Sequence, residues 1–182
     1  MMLGWNSLKN STTHYGKMAI LLHWIMALLL IGLVILGLYM VKLPIGLQKL
    51  KLYGWHKEYG ILALMLVIVR FTWRLANQTP SLNIPILEKI AARTVHWLFY
   101  VFMFALPVTG WLITSAAGLP VSFFGLFVLP NLVSSDPQSL SLYEEIHEWL
   151  GYGLIATFFL HTAAALKHHF INKDDILRRM LP

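Results

Sequence analysis

Eight histidines stand in a chain of 182 residues that is 58% apolar and only 12% charged. In so apolar a setting imidazole offers metal ligation through a neutral ring nitrogen, proton transfer, or a hydrogen bond between helices. His14 precedes the first apolar run and reads as an interfacial residue. His23, His56, His96, His147 and His161 fall within or beside apolar runs, and His168 and His169 close the last one. Ionisable groups inside a bilayer are costly and by default mark function.

What each ring can do depends on the element that carries it. A typical globular chain is about 25% charged, and 12% cannot supply a polar skin, so the bilayer must solvate most of the surface. A span needs about 20 predominantly apolar residues. Four runs qualify, at about 18–41, 55–75, 94–115 and 145–169, and their length without period-2 alternation excludes a barrel. The expected fold is all-α: a single domain over residues 1–182, an integral membrane four-helix bundle. The first run is too long for a signal-peptide core of about 7–15 residues and is expected to stay. The connector at 77–85 carries Pro80 and Pro85. The longer one before the fourth helix carries Phe123, Phe124 and Phe127, so it is expected to lie against the bundle mouth or the interface.

Orientation follows from Lys and Arg placement. Ten lie on the side shared by the N-terminus, second connector and C-terminus: Lys9, Lys17, Arg70, Arg74, Lys89, Arg93, Lys167, Lys173, Arg178 and Arg179. Four lie opposite: Lys42, Lys49, Lys51 and Lys57. Both termini are therefore expected in the cytoplasm. The net charge of +6 is spent on membrane flanks, which argues against a nucleic-acid partner. With no cysteine, disulfides and Cys-ligated metals are excluded.

This topology sorts the histidines by depth. His23 lies early in a helix leaving the cytoplasm, and His56 starts one entering from the other face. His147 is expected in the first turn of the fourth helix. His161 follows fourteen residues later, about 21 Å along the axis and on the same face. His147 thus shares the depth of His56, and His161 approaches that of His23. Two pairs at two depths suit bis-imidazole ligation of two stacked haems between facing helices. A lone membrane histidine more often bonds a neighbouring helix, for about 0.6 kcal/mol, but matched pairs are not explained that way. Zinc would gather its ligands, usually four, at one point, and these pairs are far apart.

Arg70 follows His56 by fourteen residues and shares its face near the cytoplasmic pair, where a guanidinium suits haem propionates; the plainer reading is a positive-inside flank. His96, expected to begin the third helix, and His168, seven residues beyond His161, suit a propionate, a quinone carbonyl or a proton relay, or else an interfacial anchor. Pro107 with Gly110 is expected to bend the third helix.

These residues carry a resemblance. His23-Trp24, His56 with Gly60, Arg70 and Arg74, and His96 with Leu106-Pro107 and Gly110 are similar in order and spacing to the bacterial cytochrome b561 family. So are Phe124-Gly125 before Pro130, His147-Glu148, Gly151, His161, Ala165 to His169, Lys173-Asp174, and the end Leu177 to Pro182. The resemblance covers nearly the whole chain. It implies two haems b in a bacterial inner-membrane protein, with His23 paired to His161 and His56 to His147. It also implies electron exchange between the periplasmic face and the quinone pool. Within the family a superoxide-oxidising, ubiquinone-reducing activity is attributed, with quinone near His168 and cations such as Lys42, Lys49, Lys51 or Lys57 drawing the anion to the outer side.

Three functions are compatible with the chain. One is an oxidoreductase passing electrons from a small periplasmic donor such as superoxide to ubiquinone. Another is a membrane-anchor cytochrome subunit docked to a periplasmic dehydrogenase or hydrogenase through the apolar third connector. The last is a non-redox transporter using histidines as proton relays. Reducible b-type absorption bands separate the last from the others.

Overall fold

The computed structural model describes residues 7–81 and 83–181; Leu82 in the second connector and Pro182 at the family-like end lie outside them. Four helices are long and apolar enough to cross a membrane: α1 (Lys17–Met40), α2 (Leu47–Ala76), α3 (Ile86–Ala116) and α4 (Pro137–Lys167). A π-helical turn, His168–Asn172, and a 3-10 turn, Arg178–Met180, finish the chain. Large apolar side chains such as Leu28, Ile35, Phe159 and Leu160 face outward, as a lipid-solvated surface requires.

Three helices begin before their apolar limits, at Leu47 rather than 55, Ile86 rather than 94 and Pro137 rather than 145. Their first turns continue through the polar boundary. At α4 the cause is local. The Asp136 side chain accepts the backbone N–H groups of Gln138 and Ser139, and Pro137 takes the first helical position, where its missing N–H costs nothing. Because α2 and α4 both start early, the depth match between their histidines is kept. His147 is in the third turn of α4, not the first.

The packing is uneven. α3 runs closely along α4, α1 along α2 and α2 along α3, while α4 approaches α1 and α2 only at scattered points among the described residues. The main buried cluster belongs to the first three helices, where Met26, Val67, Tyr100 and Met103 are buried with Leu30, Leu64, Phe71 and Phe104 around them, and α4 adds Leu154 and Thr157. α4 is thus set back from α1 and α2 along most of its length.

The third connector folds into a short antiparallel hairpin that the expected all-α architecture did not include, β1 (Val121–Phe123) with β2 (Phe127–Leu129). Its turn places Phe124 and Gly125 at φ 49° and 71°, the positive-φ pair of tight hairpins. The hairpin rests on the bundle end: Val121 is buried, and the Phe124 ring meets Tyr59 at 5.3 Å between centroids. At the other end the N-terminal segment, second connector and C-terminal segment are tied together. Ser81 N–H donates to Thr12 O at 2.9 Å, Arg179 Nη1 to Ser81 O at 2.9 Å, and Trp24 Nε1 to Met180 O at 2.7 Å.

Candidate functional site

Two histidine pairs join α4 to the first two helices. His56 of α2 faces His147 of α4 with ring centroids 6.2 Å apart, and His23 of α1 faces His161 of α4 at 6.3 Å. Fourteen residues separate the two α4 histidines, about 21 Å of helix, so the pairs lie at different depths. Facing imidazoles about 6 Å apart leave room for one metal ion bound end-on to both, given a metal–nitrogen bond of about 2 Å.

The surroundings of the His56–His147 pair are neutral. The Nδ1 atom of His147 is 2.9 Å from Thr109 Oγ1, which also reaches the carbonyls of Ala105 at 2.8 Å and Leu106 at 3.0 Å. The hydroxyl has one proton, and donating it to a carbonyl leaves its oxygen to accept from Nδ1–H. The Nε2 lone pair of His147 is then unprotonated. His56 Nδ1 is buried without a partner. Glycines back both rings: a Cβ on Gly37 of α1 would stand 3.3 Å from His56 Cε1, and one on Gly110 of α3 3.4 Å from His147 Cε1. α3 runs unbroken through Pro107, so Pro107 and Gly110 bring Thr109 and a bare backbone to His147 without ending the helix.

The His23–His161 pair is more polar. Arg70 Nη2 lies 3.2 Å from His23 Nδ1. His96 is well inside α3, not at its start, and its ring meets His161 at 5.8 Å, with Phe99 at 5.3 Å. Arg74 lies over the Tyr100 ring, 5.6 Å from the centroid. His168 stands apart from this group, just past the C-terminal end of α4 among carboxylates: its Nδ1 is 2.6 Å from Asp174 Oδ2.

Thr109, Gly37 and Glu88 had no signal in the sequence, since lateral helix placement brings them in. Of the lysines at the hairpin end, Lys42 and Lys51 are exposed. Lys49 Nζ donates to Val41 O and Leu43 O, and Lys51 lies 5.0 Å over the Trp55 ring. Among the described residues, no three His, Cys, Asp or Glu side chains gather at one point as a metal site.

A membrane bundle whose helices offer paired imidazoles is built as a b-type cytochrome is built. The chain belongs to the prokaryotic cytochrome b561 family, whose profile matches residues 14–182. It is 34% identical to "Cytochrome b561 homolog 2" of Escherichia coli (strain K12), over 96% of this chain and 95% of the relative. "Cytochrome b561 homolog 1" of the same strain is 33% identical, over 92% and 97%. The "Probable superoxide oxidase CybB" of Yersinia pestis is 30% identical, over 92% and 96%. The family implies b-type haem and electron transport, and with four spans it indicates a multi-pass protein of the bacterial inner membrane. The residues fit that group. Two imidazole pairs reach from α4 to α1 and α2, one ring with a buried unpartnered nitrogen, and glycines stand at the edges of His56 and His147.

Proposed function

We propose that this single-domain chain holds two haems b, one between His23 and His161 and one between His56 and His147, and carries electrons from periplasmic superoxide to ubiquinone, with both termini in the cytoplasm. The observation that carries this reading is the pair of 6.2 and 6.3 Å ring separations between α4 and the first two helices. When bound, haem supplies one-electron exchange without atom transfer. The side chains do the rest.

Thr109 sets the tautomer and orientation of His147, and a ligand ring so anchored is more basic. Gly37 and Gly110 keep the ring edges unobstructed, and the apolar walls exclude water. Arg70 beside His23 supplies positive charge suited to propionate carboxylates, with His96 near the same pair. A guanidinium has no lone pair, so Arg70 can only donate to Nδ1 of His23. A His23 ring that ligates through Nε2 carries its proton on Nδ1, and Arg70 is then free for a carboxylate. Lys42, Lys51 and Lys57 at the hairpin end attract an anionic donor. Each superoxide gives up one electron and leaves as dioxygen, and two electrons with two protons convert the quinone to quinol. The similarity to a relative named as a probable superoxide oxidase supports this choice of donor, and His168 lies on the quinone side.

The test is the purified chain alone. Superoxide should reduce its b-type absorption bands, and added ubiquinone should reoxidise them. A chain reduced only when a partner protein is present would instead be an anchor subunit.

A further inference from the structure

His168 opens the π-helical turn that ends α4, and it is buried at 9% exposure. The wider turn is followed by Lys173 at φ 56°, and the chain doubles back so that Asp174 N–H meets His168 O at 3.2 Å. That return brings the Asp174 carboxylate to the ring. From α3, Glu88 Oε2 lies 3.6 Å from His168 Nε2. Lys167 Nζ occupies the other oxygen of Glu88 at 2.7 Å, while Oε2 is buried without a hydrogen-bond partner. Asn172 Nδ2, itself a donor, also lies 3.2 Å from His168 Nδ1 and makes no hydrogen bond there while Nδ1 carries a proton. Glu88, Lys167, Asn172 and Asp174 are thus the polar groups facing the ring or its acidic partner.

A count of protons follows. A carboxylate only accepts, so the 2.6 Å contact of Asp174 with Nδ1 requires the ring proton there. A neutral ring would then turn the Nε2 lone pair toward a buried carboxylate oxygen, two acceptors with nothing between them. One further proton, on Nε2 or on Oε2, removes the conflict. The arrangement therefore stores one proton that can leave.

We infer that Glu88, His168 and Asp174 form a proton-loading site that supplies the quinone as it is reduced. This rests on the quinone half of the proposed function and adds to it the source of the protons. Asp174 is a positioning residue that fixes Nδ1–H and so turns Nε2 toward Glu88. Each transfer breaks an N–H bond at Nε2, or an O–H bond at Glu88 relayed through it, and forms an O–H bond on the quinone oxygen made basic by the incoming electrons. Glu88, partly exposed at 28%, is reprotonated from water. Two such cycles and two electrons give the quinol. His161 and His168 are seven residues apart on nearly the same face, about 10 Å along the helix, so protons are held near the inner histidine pair.

The experiment uses the full haem-loaded chain, reduced with dithionite under anaerobic conditions and mixed with a short-chain ubiquinone. Haem reoxidation is followed by stopped flow from acid to alkaline pH, in water and in deuterium oxide. The wild type should slow as pH rises and should show a solvent isotope effect. Glu88→Gln and Asp174→Asn should slow reoxidation on the order of tenfold or more and flatten the pH profile, with absorption spectrum and haem content unchanged. Glu88→Asp should restore part of the rate. Wild-type reoxidation without pH dependence or isotope effect overturns the inference, even where a variant fails to fold. So do folded variants that match the wild type at every pH, which leaves quinone as acceptor intact. Reduced wild type that quinone does not oxidise overturns both.

Discussion

The hydroxyl of Thr109 lies 2.9 Å from Nδ1 of His147, so a residue two positions past a helix proline orients an imidazole on the neighbouring helix. Partners of this kind hold ligand rings in one tautomer, and their loss typically costs about 10–100-fold in metal affinity. Thr109→Val keeps the shape and removes the hydroxyl. It is expected to release one of two haems during detergent purification, whereas Thr109→Ser keeps both. A pyridine haemochrome assay of haem per chain reads the result, and full occupancy in Thr109→Val would remove the role given to this contact.

The two ring pairs lie at different depths and share only α4, so their losses should be separable. His147→Ala is expected to halve the haem content and leave the His23–His161 site filled. His161→Ala should do the converse. Reduced-minus-oxidised spectra distinguish the single haem kept by one variant from that kept by the other, and loss of all haem from either variant would sink the assignment of separate sites.

A Cβ on Gly37 would sit 3.3 Å from His56 Cε1, tight but relieved by a small ring shift. Gly37→Ala should therefore be tolerated, while the branched Gly37→Val displaces the ring. The expected result is normal binding in the first and haem loss confined to the His56–His147 site in the second. Substitution at Gly32, where an added Cβ meets nothing within 4 Å, serves as the control on the same helix.

Hydrogen bonds from the Ser139 side chain and backbone, and from the Gln138 backbone, hold the Asp136 carboxyl below its ordinary value. A group whose folded value is depressed adds stability above the unfolded value, and that stability disappears as pH falls through the folded value. Asp136→Ala should thus unfold at a lower temperature than the wild type at pH 7. The difference should narrow once the pH drops below the usual carboxylate range, at about 4. A gap in melting temperature that stays constant from pH 7 to acid would show that the cap acts through something other than its charge.

The four spans were legible because a run of about 20 apolar residues has few other uses. The meeting of His23 with His161, and of His56 with His147, was legible because rise per residue and alternating direction fix depth. The true starts of α2 and α3 were not, since their first turns mix leucine and isoleucine with polar and charged residues and the continuous apolar run begins later. The start of α4 carried a readable signal in Asp136-Pro137, an N-cap residue before a first-turn proline, which the apolar run of the span outweighed. The contact of a half-buried His96 with His161 depends on how α3 lies against α4. Glu88 meets His168 from 80 residues away in sequence, and spacing alone could not have joined them. The hairpin has strands of three residues each, too short for a periodic pattern.

α4 leans on α3 and barely touches the other two spans, which leaves the first three helices as a tray with one open side. A chain threaded into the bilayer from its N-terminal end presents that tray before its last span arrives. Porphyrins laid in at that stage would be shut in when α4 closes, like the contents of a cask when the last stave is set. Their later escape would require peeling the final span away, so cofactor loss should be slow and should track the loosening of that one helix.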